Sequence, residues 1–419
     1  MPRICVHLQT IHSQDYAHYF DGTGLDYALI CKPCCNDPGA IEANLLEVTP
    51  EQFAEVEDEG CWDFIKDGII GRPPILTRPS RLRFQHEERA FAESIPGEVV
   101  SLSPIAASEQ GECLVLARGG ELYRVDPVRG SVLRLTQVLR AATLREPEWT
   151  LVASPRGEMA AIVEAKGRHG IVLDLATGKA TMRLDRSNYQ VEHTNFSFAF
   201  FELDGQLRLV HATDWNRLEI SDPRTGRLLT ERTIEPYTSL DSRPEHYLDF
   251  FHGALAVSPD GEWVVDNGWV WHPVGVVSSW SLRRWLEANP WESEDGPSRR
   301  DLCDRNYFWG GSICWVDART VAVWGYGNDD ENLIPAALLY DVETGHLLRW
   351  FPGPDGTFVF DRYLFSTSLD AGTSVWDVAT GECLLHDAEF IPTAYHPGSK
   401  QFITLLPDNR LRLSRLVED

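Results

Sequence analysis

Four cysteines near the start of the chain have the spacing to hold a metal. Cys31-Lys32-Pro33-Cys34 is a CxxC that follows the strand-like run DYALI (26–30). Such a knuckle sets two thiolates on one side of a tight turn, as tetrahedral Zn²⁺ requires. Cys61 lies 27 residues further on, and Cys5, His7 or the adjacent Cys35 is available as the fourth ligand. We take Cys5, Cys31, Cys34 and Cys61 as the candidate structural zinc set. The alternative is a group of reduced, partly buried thiols. A thioredoxin-like redox role is disfavoured, because no βαβ pattern surrounds the CxxC. Thr49-Pro50-Glu51-Gln52 matches a capping box with Pro at the first helical position, so a helix through about Glu59 is expected to deliver Cys61.

A second group of residues has the chemistry of recognition. His211, Asp214, Trp215 and Asn216 form one run. Asp266, Asn267, Trp269, Trp271 and His272 form another, and Trp324, Tyr326, Asn328, Asp329, Asp330 and Glu331 a third. Tryptophan and tyrosine among acids have the composition of an interaction hot spot. Carboxylates beside them suit a Lys- or Arg-bearing peptide, through ion pairing and cation–π contact. The alternative is that these aromatics pack inside the fold. A third pattern, EHYLDFFHG (245–253), spaces His246, Asp249 and His252 at three. It is a weak metal or acid–base signal, since satisfied loop histidines are commoner. The chain has no GxSxG elbow, P-loop, dinucleotide fingerprint or HExxH helix.

The elements that must position these residues come from a repeat. An apolar strand, Asp, two residues, Thr or an equivalent, Gly and a second apolar strand recur. The copies are LYRVDPVRGSVLRL (122–135), IVLDLATGKATMRL (171–184), LEISDPRTGRLLTE (218–231), LLYDVETGHLLRWF (338–351) and SVWDVATGECLLHD (374–387). Internal repetition at this period points to a β-propeller. Each unit reads as four strands joined by Gly-containing turns, and 149–184 is the template. Val172 and Leu184 are expected to face neighbouring blades. Units begin near 97, 147, 194, 250, 310, 357 and 391, which makes seven. The last supplies three strands only, and an unpaired sheet edge is an aggregation liability. The strand SRLRFQ (80–85) is therefore expected to complete it. The fold expected is all-β: a seven-bladed propeller over 76–419, closed by an N-terminal strand, with a small α+β, Cys-containing domain over 1–75.

The net charge of −25 repels phosphate backbones, so nucleic acid is not an expected partner. It fits solubility, or a basic protein partner. The N-terminal residues lack a signal-peptide core and no run approaches a membrane span, so a cytoplasmic protein without a membrane partner is expected.

Trp376-Asp377 is a true Trp-Asp dipeptide at the end of a third strand, and the other copies keep the Asp and usually the Thr-Gly. On these residues the chain resembles the WD-repeat β-propeller superfamily, in its divergent YVTN/WD-like form, over about 94–419. The segment before it resembles a zinc knuckle. In such propellers the loops between the second and third strands open on the face with the channel entrance. The resemblance thus implies that His211, Asp214, Trp215, Asp266, Trp269, Trp271, Trp324, Tyr326, Asp329 and Asp330 share one arc of that face. After VGVVSSWSL (274–282) the short turn is replaced by RRWLEANPWESEDGPSRRD, where Ser281 can cap a short helix that Asn289-Pro290 would end. The expected function is a non-enzymatic protein–protein interaction module or scaffold. The alternative is an enzyme, a hydrolase or lyase, with a site at the channel mouth around Asp249, His252, Asp266 and His211.

Overall fold

A computed structural model describes residues 81–89, 95, 97–138, 148–235, 243–406 and 410–418, and the backbone of four N-terminal strands, Arg3–Cys5, Tyr16–Phe20, Tyr27–Cys31 and Leu45–Glu47. Residues 81–418 build seven antiparallel sheets around a ring: a seven-bladed β-propeller. Strands a to d run outward from the axis in each blade. Blades 1 to 6 span 99–137, 149–185, 198–221, 251–306, 313–352 and 357–387. Blade 7 joins Ala394–His396, Gln401–Leu405 and Leu411–Glu418 to an outer strand from far upstream, Leu82–Arg89. That strand pairs in unbroken register, from Leu82 opposite Glu418 to Arg89 opposite Leu411. The closing strand lies slightly later than 80–85 and is longer. The four N-terminal strands form a separate sheet in the order Tyr16–Phe20, Tyr27–Cys31, Arg3–Cys5, Leu45–Glu47. The expected helix over 49–59 falls outside the described residues, as do Cys34 and Cys61.

The repeated phrase is the c–d turn of blades 1, 2, 3, 5 and 6. In blade 2, Asp174 Oδ1 accepts the Thr177 N–H at 2.8 Å and the Thr177 hydroxyl at 3.0 Å. Asp341 does the same with Thr344, at 2.7 and 2.8 Å. The glycine that follows is left-handed in each copy, at φ 67 for Gly178 and 77 for Gly345. An aspartate that bonds its own backbone and a residue free to take positive φ are what a tight hairpin needs. The signature is thus a turn device.

The core is divided among the blade interfaces. Leu114, Leu116 and Leu122 of blade 1 meet Leu151, Ile162 and Leu173 of blade 2. Val172 and Leu184 meet Phe196, Phe198 and Phe200 across the next interface. Seven such clusters among the described residues, one per interface, close the ring. Trp376 sits in the cluster between blades 5 and 6, where its indole N–H donates to Ser366 Oγ at 2.9 Å.

Blade 3 departs from the four-strand template. It has three strands, and the chain past its c–d turn makes only an isolated bridge, Ser221 with Leu228. Side chains finish the edge instead. Thr230 Oγ1 accepts the Ile220 N–H at 2.9 Å and Arg232 donates to the Leu218 carbonyl at 3.3 Å. The long insertion of blade 4 lies over the same edge. Its helix α1 (Leu282–Glu287) is capped by Ser281, which accepts the Arg284 N–H at 3.2 Å, and is followed by a single turn, α2 (Glu292–Asp295). Leu282 and Trp285 are buried with Leu218, Ile220 and Trp280.

Candidate functional site

The loops after strands b and d emerge on one face, and in blades 3 to 5 they are long and aromatic. A bulge in strand a of blade 4, between Phe251 and Ala254, is the local cause. Gly253 lies within it, and a Cβ there would collide with the Asn267 carbonyl. The close approach lets Phe251 stack on Trp269, with ring centroids 4.0 Å apart and planes 9° from parallel. From this pair an array spreads across the face. Trp215 packs on Phe251 at 4.5 Å and Tyr189 on Trp215 at 5.3 Å. Trp271 meets Trp269 edge-on at 5.2 Å, and Trp309 stacks on its ring at 5.1 Å. Trp309 is held by its indole N–H, which donates to the His193 carbonyl at 2.7 Å.

The array is buried at its centre and open at its rim. Trp269 is 2% exposed, whereas Trp271 and Tyr189 are 47% and 45% exposed. Tyr307, whose N–H donates to the Pro273 carbonyl beside them, is 59% exposed. The loops that carry the rim are strained. Ser187, Gln190, His246, His272 and Tyr307 all have positive φ without being glycine. Such residues persist only where the surroundings over-determine them, and they concentrate at functional sites.

The sequence-predicted residues divide in two. Trp215, Trp269 and Trp271 converge through Phe251, and Asp214 accepts the Trp215 N–H at 2.8 Å. Trp324 is half-buried nearby, against Phe308 at 5.3 Å, and its N–H donates to Asp355 at 3.1 Å. Asp330 is exposed, while Asp329 caps a short turn by accepting the Glu331 N–H at 3.2 Å. Four residues do not face solvent, which corrects the expectation of a shared open arc for their side chains. His211, Asp266, Trp269 and Tyr326 are 6%, 0%, 2% and 9% exposed. Tyr326 stacks on Trp350 at 4.0 Å, against the core between blades 4 and 5. The reason is their place on the strands: positions within strand b point between blades, and only positions past its end reach the loops. Tyr189, Phe251, Tyr307 and Trp309 escaped the sequence reading because they lie in connectors and in strand a. The run NYFWGG (306–311) was the available signal for the last two.

Of the residues of the enzymatic alternative, His252 and Asp266 meet, while His211 and Asp249 take other partners. His252 Nδ1 donates to Asp266 Oδ2 at 2.5 Å, and Asp266 Oδ1 accepts the Gly253 N–H at 2.9 Å. The pair is fully buried, and His252 borders a cavity of about 10 Å³, room for at most a single water. His211 instead bonds Ser221 Oγ at 3.0 Å and the Ala212 carbonyl at 3.3 Å, and burial pushes its imidazole down to about 4. Asp249 faces Arg243 at 3.5 Å. His246 stacks on Trp291 at 4.5 Å and bonds Asp295 at 2.8 Å. The HxxDxxH spacing therefore sends its three side chains to three different partners. Among the described residues no group of His, Cys, Asp and Glu is arranged to hold a metal.

Two buried cations brace the face. Arg186 donates to the carbonyls of Gly167, Val191, Thr194 and Asn195 at 2.8–2.9 Å, which fixes the loop carrying Tyr189. Burial pushes its guanidinium down to about 10. Arg232 lies between two carboxylates, at 2.6 Å from Glu219 and in contact with Glu294 of the insertion, and all three side chains are at most 7% exposed. Burial pushes Glu219 up from the usual carboxylate range, against the pull of Arg232.

No family model matches the chain, and no curated relative is found. Among solved structures it is similar to a chain of one described as "Crystal Structure of Mitotic Checkpoint Complex". The TM-score is 0.50 and the identity 14%, over 84% of this chain and 98% of that one. The likeness is one of fold. In all, 1205 solved chains match, so the shared architecture selects no single task. No helix among the described residues is long and apolar enough to cross a membrane.

Proposed function

We propose that the chain is a protein-interaction module whose working surface is the aromatic face of blades 3 to 5. The observation that carries this reading is the array itself. Exposed Trp271, Tyr189 and Tyr307 rim a rigid stack, among strained loops, with acids beside them. Exposed aromatics on a preorganised base lose little entropy on docking, and they dominate interface energetics. The strong negative charge of the chain favours a partner with a basic segment and speeds its encounter. A partner captured from host extract by the full chain should be lost from a Trp271→Ala/Tyr307→Ala variant. It should be kept by Val128→Ala, an exposed change on the opposite face. Equal capture by all three would overturn the assignment.

We further propose structural zinc in the N-terminal segment. What supports it is the parallel pairing of Arg3–Cys5 with Tyr27–Cys31, in register Ile4 with Leu29. The two neighbouring strands both end in cysteine, one residue out of register, and the CxxC begins at the second. Elemental analysis of protein purified without chelator should find about one zinc per chain, lost in Cys34→Ser. Metal-free wild-type protein would refute it.

A further inference from the structure

Beside the aromatic array lies a cavity of about 550 Å³, walled by blade 3, residues 234–235 and 244–248 and the insertion. Blade 3 contributes Asp214, Trp215, Asn216 and Arg217 from its second and third strands and the turn between them, and the other walls lie outside the repeat. Tyr189, Trp215, Tyr247 and Trp291 supply rings, and Asp214, Glu235, Glu245 and Glu294 supply carboxylates. The one arginine among the lining residues is Arg217, and His246 is engaged by Asp295. Glu294 brings a buried carboxylate to the wall, paired with Arg232 and within the field of the buried Arg299. The buried triad Glu219–Arg232–Glu294 sets two carboxylates against one guanidinium, and Glu294 is the member that borders the cavity.

We infer that this cavity receives an arginine side chain of the protein partner. The inference rests on the interaction reading above and names the chemistry of its central contact. A guanidinium is planar, weakly hydrated and carries five donors. It can stack on a ring while bonding carboxylates set on different walls. A neutral side chain would form no ion pair with the lining carboxylates and would lose the stacking attraction to the ring quadrupoles.

The probe is a nine-residue Gly/Ser peptide with one central arginine, compared with its citrulline twin, which has the same shape without the charge. Binding to the full chain is read by anisotropy and by the indole N–H resonances of Trp215 and Trp291. The arginine peptide should bind saturably, at least tenfold tighter than the twin, and should move both indole signals. Glu235→Gln/Glu245→Gln, at two side chains on the cavity rim, should weaken it tenfold or more with the melting curve unchanged. Trp291→Ala should abolish it, but Trp291 also packs on Arg232, so the glutamine variant is the deciding one. Equal binding of the twin, unchanged binding by the glutamine variant, or no saturation up to about 10 mM would overturn the inference, since weaker binding falls below any specific contact. If the peptide fails while Trp271→Ala/Tyr307→Ala still abolishes capture of the native partner, the cavity assignment falls and the interaction face stands. If the peptide binds as expected while capture is insensitive to Trp271 and Tyr307, the opposite holds.

Discussion

Blades 7 and 3 both lack a fourth strand in their own stretch of sequence, and they complete themselves differently. Blade 7 borrows Leu82–Arg89, which repeats the regular solution with a strand from elsewhere: a continuous ladder, Phe84 in the core, and Glu88 paired with Arg410 and Arg412. Blade 3 uses side chains and a helical insertion, and takes a buried ion triad into the bargain. A borrowed strand adds backbone hydrogen bonds that any sequence of the right pattern supplies. A side-chain edge depends on single residues, so it is brittle, but it leaves the surrounding loops free to shape a cavity. The regular repeat holds the ring, and the aromatic face is built where the repeat is abandoned.

The largest effect should come from taking away the borrowed strand. Removing residues 1–90 exposes the edge Leu411–Glu418 and uncovers Phe365, Phe390 and Phe402, which pack around Phe84. Several kcal/mol are lost, and at roughly 1–2 °C per kcal/mol for a domain of this size the melting temperature should fall by about 5 °C or more. A truncated chain that melts like the full one would mean that blade 7 does not depend on its fourth strand.

Next comes the triad of blade 3. Arg232→Ala strands two buried carboxylates and should cost about 3–5 kcal/mol by denaturant unfolding. The triple change Glu219→Gln/Arg232→Met/Glu294→Gln should recover much of that loss. Arg168 in regular blade 2 pairs with Asp185 at the surface, both more than 40% exposed, and Arg168→Ala should leave the midpoint where it was. Similar losses from Arg232→Ala and Arg168→Ala would erase the distinction between the two kinds of edge.

These blades also show what was legible in the chain. The Asp-x-x-Thr-Gly turns made five of the seven units readable and set the spacing for the other two, because a turn that needs an acid and a glycine at fixed spacing leaves a mark in sequence. The missing strand of blade 7 was readable by counting. The loss of a strand in blade 3 was not, since LEISDPRTGRLLTE keeps the signature turn and an apolar run after it. Thr230 and Arg232 satisfy backbone groups that only the fold brings near. The site was half legible for the same reason. Trp215 and Trp271 lie past strand ends, where composition and exposure agree. His211, Asp266 and Tyr326 lie within or at the end of strands, where a polar or aromatic residue is satisfied internally. Nothing in their local sequence separates the two cases.

Protonation offers a gentler comparison. Burial holds His211 of blade 3 at about 4, against an ordinary value of 6.5. Between those values the unfolded chain binds the proton and the folded chain does not. The stability from the neutral ring is therefore full above pH 6.5 and is lost as pH falls toward 4, by about 2–4 kcal/mol in all. Glu219 is shifted upward and acts in the opposite sense, so the difference between wild type and His211→Gln isolates the histidine. The variant should show a flatter fall in urea midpoint between pH 7 and 4.5. His396 of blade 7, which bonds the Glu112 carbonyl at 2.9 Å, is shifted down by burial too. Parallel pH profiles for wild type and His211→Gln would mean that the imidazole is not a buried neutral group.

The smallest effect tests whether the turn of blade 3 serves its side-chain edge. In blade 2 the turn at Asp174 leads into a strand that has its own ladder, Lys179 opposite Asp174 through Asp185 opposite His169. Loss of the Asp174 carboxylate should cost about 1 kcal/mol, the worth of its turn hydrogen bonds, and should add simply to the effect of Arg168→Ala. In blade 3 the turn at Asp222, where Thr225 Oγ1 donates to Asp222 at 2.8 Å, leads into a run with no ladder. Its geometry decides whether Thr230 and Arg232 arrive at the edge. Asp222→Ala and Arg232→Ala should then be non-additive, with a coupling of about 0.5–1 kcal/mol in a double-mutant cycle, although the two residues are ten apart. Additivity in blade 3 as in blade 2 would show that the triad positions itself, and that the turn there is a remnant of the repeat.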